Sequence, residues 1–269
     1  MREHIRKLRF LWACLAVTLL LIRPGYSAPD EKANLADLLA RAAQNAKLFV
    51  EHFSSVKCTE RVQQTKLGAK ERIEAQEDST FDYLLLLDVT GGDIRLEESR
   101  LLLQEKSPAR KSSLLVTNGF STLLLIFHPV YQPSFEFALE AAEAPAAESR
   151  VRVHFRHLPG TRSPAVLFLR GREFPLSLEG TAWLDPQTGD VTRIEAGLAG
   201  SMEDIGLVKF QSDVAYARIH FQSEPRPYWL PSSAVIEVHT PRQRWRNSHQ
   251  FTDYKLFSVS ATSSVGQTP

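Results

Sequence analysis

The chain has 269 residues, of which 43% are hydrophobic and 23% are charged, and this length is enough to bury a sizeable core. Its formal net charge of +1 at pH 7 excludes a global electrostatic drive toward nucleic acid or an anionic membrane. Cysteine occurs only at positions 14 and 58, which excludes the class of small secreted domains held together by several disulfides.

The first 27 residues have the pattern of a secretory signal peptide. Four basic residues precede an apolar run from Phe10 to Ile22, and small residues follow the Pro24-Gly25 break. This pattern predicts cleavage after Ser27 and export across a membrane. An alternative is that the segment stays uncleaved and anchors the chain in that membrane. Cleavage would remove Cys14 and leave 27 basic and 30 acidic side chains, a net charge of about −3.

An amphipathic helix is predicted from Glu31 to Phe53, because apolar side chains recur there at intervals of three and four. With a rise of 1.5 Å per residue, the helix would be roughly 34 Å long. Its polar face lacks the cationic enrichment of a helix that lies on a membrane surface. We therefore expect the apolar stripe to pack against the face of a sheet.

From Ser54 onward the hydrophobic period changes from that of a helix to two, which is typical of strands. Extended segments are predicted near Val56, from Glu71 to Leu87, and from Ile94 to Gln104. The short turns between them favour an antiparallel meander. Cys58 alternates with charged neighbours on the first of these segments, which favours a buried structural thiol over a nucleophile.

The continuous apolar run from Leu123 to Phe127 must be covered on both sides, which a half-exposed strand does not allow. It is either a short helix capped near Ser121 or a buried strand, and the helix is favoured. Residues 140–149 contain alanine, glutamate and proline but no bulky apolar side chain. They are predicted to form a mobile surface loop within one domain.

The segment from Phe174 to Glu195 predicts a β-hairpin. Residues 185–190, DPQTGD, supply a proline that presets φ and a glycine that can adopt a positive φ, which favours a four-residue loop from 186 to 189. In that register Trp183 would lie near Thr192 and Ile194 on one face of the hairpin. Both faces would then be partly apolar and partly covered.

Further strands complete a single large sheet. Roughly ten strands against one firm helix predict an α+β fold dominated by one antiparallel, strongly curved sheet. The domain is predicted to cover residues 28–259, and residues 260–269 to form a disordered tail. The remaining extended segments lie at 150–157, 165–169, 208–222, 234–239 and 245–259.

The sequence contains no motif that predicts an enzyme, a metal site or a cofactor. Phosphate-binding glycine loops, nucleophile elbows and zinc-binding spacings are all absent. His154 and His157 would face opposite sides of a strand, because a separation of three reverses the face. The other candidate ligands are His220, His239 and His249, which lack an accompanying cysteine or acidic cluster. A hydrolase on an unusual scaffold is the least favoured hypothesis.

Three arginines at alternate positions, Arg242, Arg244 and Arg246, would share one face of an extended strand. Such a row can bind a phosphate or an acidic partner. It can also be a solvated edge that discourages aggregation between strands. The sequence leaves both interpretations open.

Leucine and phenylalanine are abundant in the predicted sheet, which is compatible with a curved sheet around an apolar cavity for acyl chains. A plain packed core is equally compatible, because the same residue types line both. If a groove is present, the wall residues predicted from alternation are Leu85, Leu87, Leu102, Leu124, Phe127, Phe168, Trp183 and Phe221.

The chain resembles the periplasmic lipoprotein-carrier and lipoprotein-sorting superfamily of diderm bacteria in the order of its elements, from Leu35 to Val259. The shared elements are a signal peptide, an amphipathic first helix, a meander, the segment VTNGFSTLLLIFHPVYQPSFEF, the hairpin GTAWLDPQTGDVTRIE and a closing strand FTDYKLFSV. The resemblance implies an unclosed barrel of about eleven strands, with helices on its concave side. It also implies an apolar groove that binds lipoprotein acyl chains or other hydrophobic ligands without catalysis.

The sequence therefore predicts a non-enzymatic periplasmic protein that holds a lipid or an acylated lipoprotein in an apolar groove, in envelope lipid or lipoprotein trafficking. The alternative is an envelope sensor on the same fold, with a filled core and a protein partner bound through the sheet edges. Neither hypothesis involves nucleic acid, and neither requires the chain to span a membrane once the signal is cleaved.

Overall fold

The computed structural model describes residues 28–90, 93–105, 120–140, 150–169 and 172–257. The predicted signal peptide, the tail at 260–269 and almost all of the 140–149 loop lie outside these ranges. Helix α1 spans Ala28–Phe53. The strands of the described residues are β1 (Val56–Leu67), β2 (Ile73–Thr90), β3 (Asp93–Glu105), β4 (Phe135–Leu139), β5 (Val151–His157), β6 (Val166–Leu169), β7 (Arg172–Pro175), β8 (Leu178–Leu184), β9 (Val191–Leu198), β10 (Lys209–Ile219), β11 (Tyr228–His239) and β12 (Arg244–Leu256).

Ten of these strands form one antiparallel sheet in the order β3-β2-β1-β12-β11-β10-β9-β8-β5-β4, and β6 and β7 form a separate hairpin. The sheet is not closed, since β3 and β4 are its two edges among the described residues. The first strand and the last strand are neighbours inside the sheet, as its third and fourth strands, with Val56 opposite Leu256 and Leu67 opposite Arg244. The predicted α+β class, dominated by one unclosed antiparallel sheet, is confirmed.

Helix α1 packs its apolar stripe against the inner face of the sheet, as its periodicity predicted. Ala42, Ala46, Phe49 and Phe53 are at most 2% exposed. The ring of Phe49 meets that of Tyr216 on β10 edge to face, with 6.0 Å between the centroids. Each large apolar side chain buried in this way contributes roughly 1.5–3 kcal/mol. The helix is therefore held by tertiary packing more than by its own propensity.

The apolar run after residue 120 forms a short 3-10 helix, Phe120–Phe127, which we call the plug. This confirms the favoured helical prediction. Residues 123 to 127 are at most 3% exposed, because the plug lies between α1 and strands β9 to β11. Ser121 Oγ lies 2.9 Å from the hydroxyl oxygen of Tyr83 on β2 and joins the plug to the sheet.

The hairpin of β8 and β9 has the predicted four-residue loop. The Asp185 amide donates to the Asp190 carbonyl at 2.9 Å, and the Gly189 amide donates to the Asp185 carbonyl at 2.9 Å. Gly189 has φ of +74°, a conformation that glycine adopts without the steric cost of a side chain. Local turn chemistry therefore fixes this part of the chain.

Of the predicted neighbours of Trp183, Thr192 lies beside it and donates to its carbonyl oxygen at 3.1 Å, whereas the prediction for Ile194 was wrong. Trp183 pairs with Arg193, while Ile194 pairs with Ala182 and faces the core. The register shifts by one residue beyond Trp183, which leaves Thr192 as the extra residue of a β-bulge. The outer face of the hairpin is consequently not apolar, and the Arg193 guanidinium lies 4.8 Å from the centroid of the Trp183 ring.

The hairpin loop docks onto helix α1. Arg41 donates to the Pro186 carbonyl at 3.0 Å, and the Asn45 amide donates to the Thr188 carbonyl at 3.0 Å. The approach is so close that a Cβ at Gly189 would lie 2.6 Å from the Cβ of Arg41. The helix is thus fixed across one end of the sheet, where it forms a wall of the cavity described next.

Candidate functional site

An apolar cavity of about 410 Å³ lies where α1, the plug, the β8–β9 loop and the β10–β11 loop meet. This volume is within the range of roughly 300–1,000 Å³ that is typical of small-molecule sites. The residues that line it come from four parts of the chain: Asn45, Leu48, Phe49, His52, Leu124, Thr188, Asp190, Val191, Arg218, Arg226, Pro227 and Trp229.

Helix α1 supplies one wall of the cavity. Asn45, Leu48, Phe49 and His52 are separated by three or four residues, so they lie on one face of the helix. Phe49 is buried, and Leu48 is half-buried. The same apolar stripe of α1 therefore packs into the core under the sheet and also lines the cavity at the end of the sheet.

The plug supplies the inner wall through Leu124, which is 3% exposed. Val191 of β9 and Trp229 of β11 continue the apolar surface on the side of the sheet. The wall made by helix, plug and sheet is thus predominantly hydrocarbon and aromatic. Such a surface binds ligands by burial of apolar area and makes few directional demands on them.

Charged groups are confined to one side of the cavity. Arg218 Nη2 lies 3.6 Å from Asp190 Oδ2, and the Arg218 guanidinium lies 5.1 Å from the centroid of the Trp229 ring. Asp190 also accepts a hydrogen bond from Asn45 Nδ2 at 3.0 Å. Arg226 lines the same side and is exposed. The cavity is therefore amphipathic, with an apolar interior and a polar rim.

Aromatic rings cover the helix C-terminus at the rim. The imidazole of His52 stacks on the ring of Tyr228, with centroids 3.6 Å apart and planes at 5°. Phe221 meets the other side of this pair, with its ring 5.2 Å from that of Tyr228. Burial lowers the pKa of His52 and outweighs the opposing charges of Glu51 and Glu224. His52 is therefore neutral at pH 7 and adds no charge to the rim.

The structure places the eight predicted wall residues in different surroundings. Leu124 lines the cavity, and Phe221 is joined to its rim through Tyr228. Leu85 and Phe127 are fully buried in the core cluster.

The four remaining wall residues lie away from the cavity or outside the described side chains. Leu102 faces the same side of the sheet as Phe81 opposite it and is 49% exposed. Trp183 lies on the outer face between Arg152 and Arg193. The side chains of Leu87 and Phe168 are outside the part of the chain that the structure describes.

The predicted arginine row does not form one continuous ladder. Arg244 and Arg246 lie on the outer face of β12, where Arg244 pairs with Glu71 and Arg246 Nε donates to Glu237 Oε1 at 2.7 Å. Arg242 lies in the turn before the strand and is exposed. The two strand arginines are therefore engaged with carboxylates of the chain itself.

A buried ionic network lies on the inner face of the sheet at its β3 side, and the sequence did not predict it. Glu60 on β1 accepts two hydrogen bonds from Arg100 on β3, at 2.6 and 3.1 Å. His249 Nδ1 on β12 lies 2.8 Å from Glu60 Oε1, and Glu98 Oε2 lies 2.8 Å from Arg100 Nη2. The sequence feature that could have predicted this network is Glu60 itself, which lies between Cys58 and Val62 on an otherwise apolar strand face.

The remaining histidine and cysteine candidates for catalysis or metal binding have surroundings that fit a structural role. His157 is buried and lies within hydrogen-bonding distance of Ser177 Oγ, at 3.1 Å, and of the Arg162 carbonyl, at 2.9 Å. Burial raises the pKa of the Cys58 thiol to about 12, which keeps it protonated and unreactive. Within the described ranges, no three histidine, cysteine or acidic side chains are grouped as metal ligands would be.

A second depression, of about 570 Å³, lies on the outer face of strands β8 to β10. Its lining includes the carboxylates of Glu179, Glu195 and Glu203 together with Lys209. It lacks the apolar interior of the first cavity and has no contact with α1 or the plug among its lining residues. The first cavity is therefore the stronger candidate for a hydrophobic ligand.

No protein-family model and no curated protein sequence matches the chain. Among solved structures, a DUF1329 family protein from Desulfovibrio piger is similar, with a TM-score of 0.40 and 12% identity over 84% of this chain and 92% of that one. A LolA superfamily protein from Nitrosomonas europaea has a TM-score of 0.34 and 9% identity, over 84% and 94%. An outer membrane lipoprotein-sorting protein domain from Vibrio parahaemolyticus has a TM-score of 0.36 and 12% identity, over 81% and 91%.

The descriptions of the second and third structures name the same kind of protein as the sequence resemblance does. At these identities and TM-scores, the likeness assigns neither a family nor a ligand to this chain. In the part of the chain that the structure describes, no helix is both long enough and apolar enough to cross a membrane.

Proposed function

We propose that this protein is a non-enzymatic binding protein of the periplasm that holds a lipid, or the acyl chain of a lipidated partner, in the cavity between α1, the plug and the β8–β9 hairpin. The amino-terminal segment 1–27 directs its export. The observation that carries the proposal is the apolar cavity of about 410 Å³ whose inner wall is Leu124 of the plug.

Burial alone supplies enough free energy for such a ligand. Each methylene that leaves water contributes about 0.8 kcal/mol, so a chain of ten buried methylenes contributes on the order of 8 kcal/mol. The loss of translational and rotational freedom on binding offsets part of this. The expected dissociation constant for a single chain is therefore in the micromolar range or weaker.

The side chains that line the cavity in the described residues include no cysteine or serine and only one histidine, which supports binding over catalysis. His52 is the one imidazole that lines it in the described residues, and its ring is stacked on Tyr228. Cys58 is buried, and His249 is hydrogen-bonded to Glu60 within the ionic network. A hydrocarbon-lined site with an engaged histidine fits a carrier or receptor of amphiphiles.

The test is native mass spectrometry of the protein extracted gently from the periplasm, compared with the Leu124→Trp variant. We expect lipid to copurify with the wild type and to fall about tenfold in the variant, because the larger indole occupies part of the cavity beside the plug. Leu101→Trp is the matched control, since Leu101 is 66% exposed on β3 and lies away from the cavity.

Leu124 is also part of the core, so a loss of lipid has to be separated from a loss of folding. The half-buried lining residue Leu48, replaced by Trp, provides the second variant, and thermal melting of both variants measures their stability. A wild type free of lipid, or folded variants that retain as much lipid as the Leu101→Trp control, would contradict the proposal.

One observation favours the alternative of an envelope sensor. Leu101, Leu102 and Leu103 on edge strand β3 are 66%, 49% and 55% exposed, and the far side of this strand is unpaired among the described residues. An exposed apolar edge can accept a strand from a partner. The sensor proposal predicts a lipid-free protein whose partner binding is lost when Leu101 and Leu103 are replaced by glutamate.

A further inference from the structure

The two arginines at the rim divide the cavity into an apolar end and a cationic end. Arg218 is the penultimate residue of strand β10, and Arg226 lies in the loop before β11. The lining also includes Leu48, Phe49 and Leu124 from the helix and the plug. A ligand that fills this cavity therefore meets hydrocarbon at one end and guanidinium at the other.

The cationic end carries an excess of positive charge. Asp190 is the one carboxylate that lines the cavity in the described residues, and the lining includes two arginines. The oxygens of Asp190 already accept hydrogen bonds from Asn45 Nδ2 at 3.0 Å and from Thr188 Oγ1 at 2.8 Å. Arg218 lies 3.6 Å from Asp190. Glu224, in the same loop as Arg226, does not line the cavity, and its carboxylate is engaged at the rim with Tyr228.

The Arg218 guanidinium lies over an aromatic ring and is half-exposed. It lies 5.1 Å from the centroid of the Trp229 ring, and its side chain is 52% exposed. Contact with an aromatic face restrains the guanidinium and leaves its N–H donors available at the edge. Arg226 is exposed, and within the described ranges it has neither a hydrogen bond nor an ion pair, so its donors are available as well.

We propose that the ligand is an amphiphile with an anionic head, a carboxylate or a phosphate, which Arg218 and Arg226 hold at the rim while the tail occupies the cavity beside Leu124. This inference rests on the proposed function, because it assigns the head group of the same ligand. Charge-assisted hydrogen bonds from a guanidinium select such a head over a neutral one of equal chain length.

Isothermal titration calorimetry with dodecyl phosphate and dodecanol, both below their aggregation limits, tests the inference. The two probes share one tail and differ in the head. We expect dodecyl phosphate to bind about 10- to 100-fold more tightly to the wild type. The double variant Arg218→Gln, Arg226→Gln should lose this difference and keep its affinity for dodecanol.

Arg242→Gln is the matched control, because Arg242 is an exposed arginine in the β11–β12 turn, at the opposite end of β11 from the cavity rim. It should leave both affinities unchanged. Inorganic phosphate alone should show no binding at concentrations where dodecyl phosphate saturates the site, since the tail supplies most of the affinity.

The possible outcomes separate the two proposals. Equal affinity of the wild type for dodecanol and dodecyl phosphate overturns the anionic head and leaves the carrier proposal standing; a neutral acylated partner would then be the ligand. Binding of inorganic phosphate as tight as that of dodecyl phosphate overturns the amphiphile. Failure of both dodecyl probes to bind overturns the proposed function together with this inference.

Discussion

Glu60 is completely buried, and its charge is matched by two partners from distant parts of the chain. Arg100 donates to both carboxylate oxygens, and His249 Nδ1 lies 2.8 Å from Oε1. Because a carboxylate only accepts hydrogen bonds, this imidazole nitrogen carries the proton. Glu98 remains as a second carboxylate partner of Arg100, at 2.8 Å, so the loss of Glu60 removes buried hydrogen bonds and leaves Arg100 with one charged partner.

We predict that Glu60→Gln lowers the free energy of unfolding by about 1–3 kcal/mol, because the amide nitrogen cannot accept one of the buried hydrogen bonds that Glu60 accepts from Arg100 and His249, while Glu98 remains as a charged partner of Arg100. Urea denaturation followed by circular dichroism measures this change. Asp82→Asn is the control, since Asp82 pairs with Lys57 at 3.0 Å on a half-exposed part of the neighbouring strand. Its cost should stay below about 1 kcal/mol. Equal losses in the two variants would contradict a special role of Glu60.

The same variant gives a pH signature. Burial alone would raise the pKa of Glu60, but the hydrogen bonds from His249 and Arg100 and the charge of Arg100 outweigh it and hold the pKa below its ordinary value of 4.5. A depressed folded-state pKa contributes stability that is present above 4.5 and is lost as the pH falls through the folded value. The wild type should therefore lose stability more steeply below pH 4.5 than Glu60→Gln does.

At the scale of elements, the contact between the β8–β9 loop and helix α1 positions the cavity. Asn45 bonds to both Thr188 and Asp190 of the loop, and it also lines the cavity. Gly189 permits this contact in two ways, through its positive φ and through the missing side chain. The turn that was most evident in the sequence is therefore also the clamp that holds the helix over the end of the sheet.

We predict that Gly189→Ala lowers the free energy of unfolding by about 2–4 kcal/mol, through left-handed backbone strain and overpacking against Arg41. Gly206→Ala is the matched control, because Gly206 has φ of +86° but no atom within 4 Å of its added Cβ. It should show the backbone cost alone, about 1–2 kcal/mol. Urea midpoints measure both. If the two variants lose the same stability, the helix yields to the added methyl group and the clamp is weaker than its geometry indicates.

At the scale of the molecule, the sequence predicts what local chemistry determines. The helix follows from apolar spacing, the plug from a continuous apolar run before Pro129, and the hairpin loop from residues 185–190. In each case the signal lies within a few residues of the element. The fold class follows from the number and type of these elements and needs no knowledge of their partners.

Features that depend on two distant strands were not predictable in this way. The bulge that turns Trp183 toward Arg193 depends on how β8 and β9 pair, and a slip of one residue reverses the face. The ionic network joins Glu60 to Arg100, 40 residues away, and to His249, 189 residues away. The cavity likewise combines residues of α1, the plug, strands β9, β10 and β11, and the β8–β9 and β10–β11 loops. Predicting any of these three features requires the order of the strands, which could not be derived from the sequence.

Because one core joins all parts of the main sheet, we predict a single cooperative unfolding transition. Trp183 lies on β8 and Trp245 on β12, so the two report on separate regions of the sheet. In proteins that each retain only one of these tryptophans, the urea midpoint from fluorescence should coincide with that from circular dichroism. A fluorescence midpoint displaced from the circular dichroism midpoint in either protein would indicate that part of the sheet melts separately.

The pairing of β1 with β12 has a consequence for how the protein folds as it is synthesised. Strands β1 to β3 are synthesised early, but β12, which pairs with β1, ends only at Leu256. Before β12 is synthesised, β1 and β11 each have an edge whose backbone hydrogen-bonding groups are unpaired. Pairings between strands so far apart in sequence form slowly. Nascent chains should therefore remain susceptible to proteolysis and to incorrect strand pairing until β12 pairs with β1 and β11.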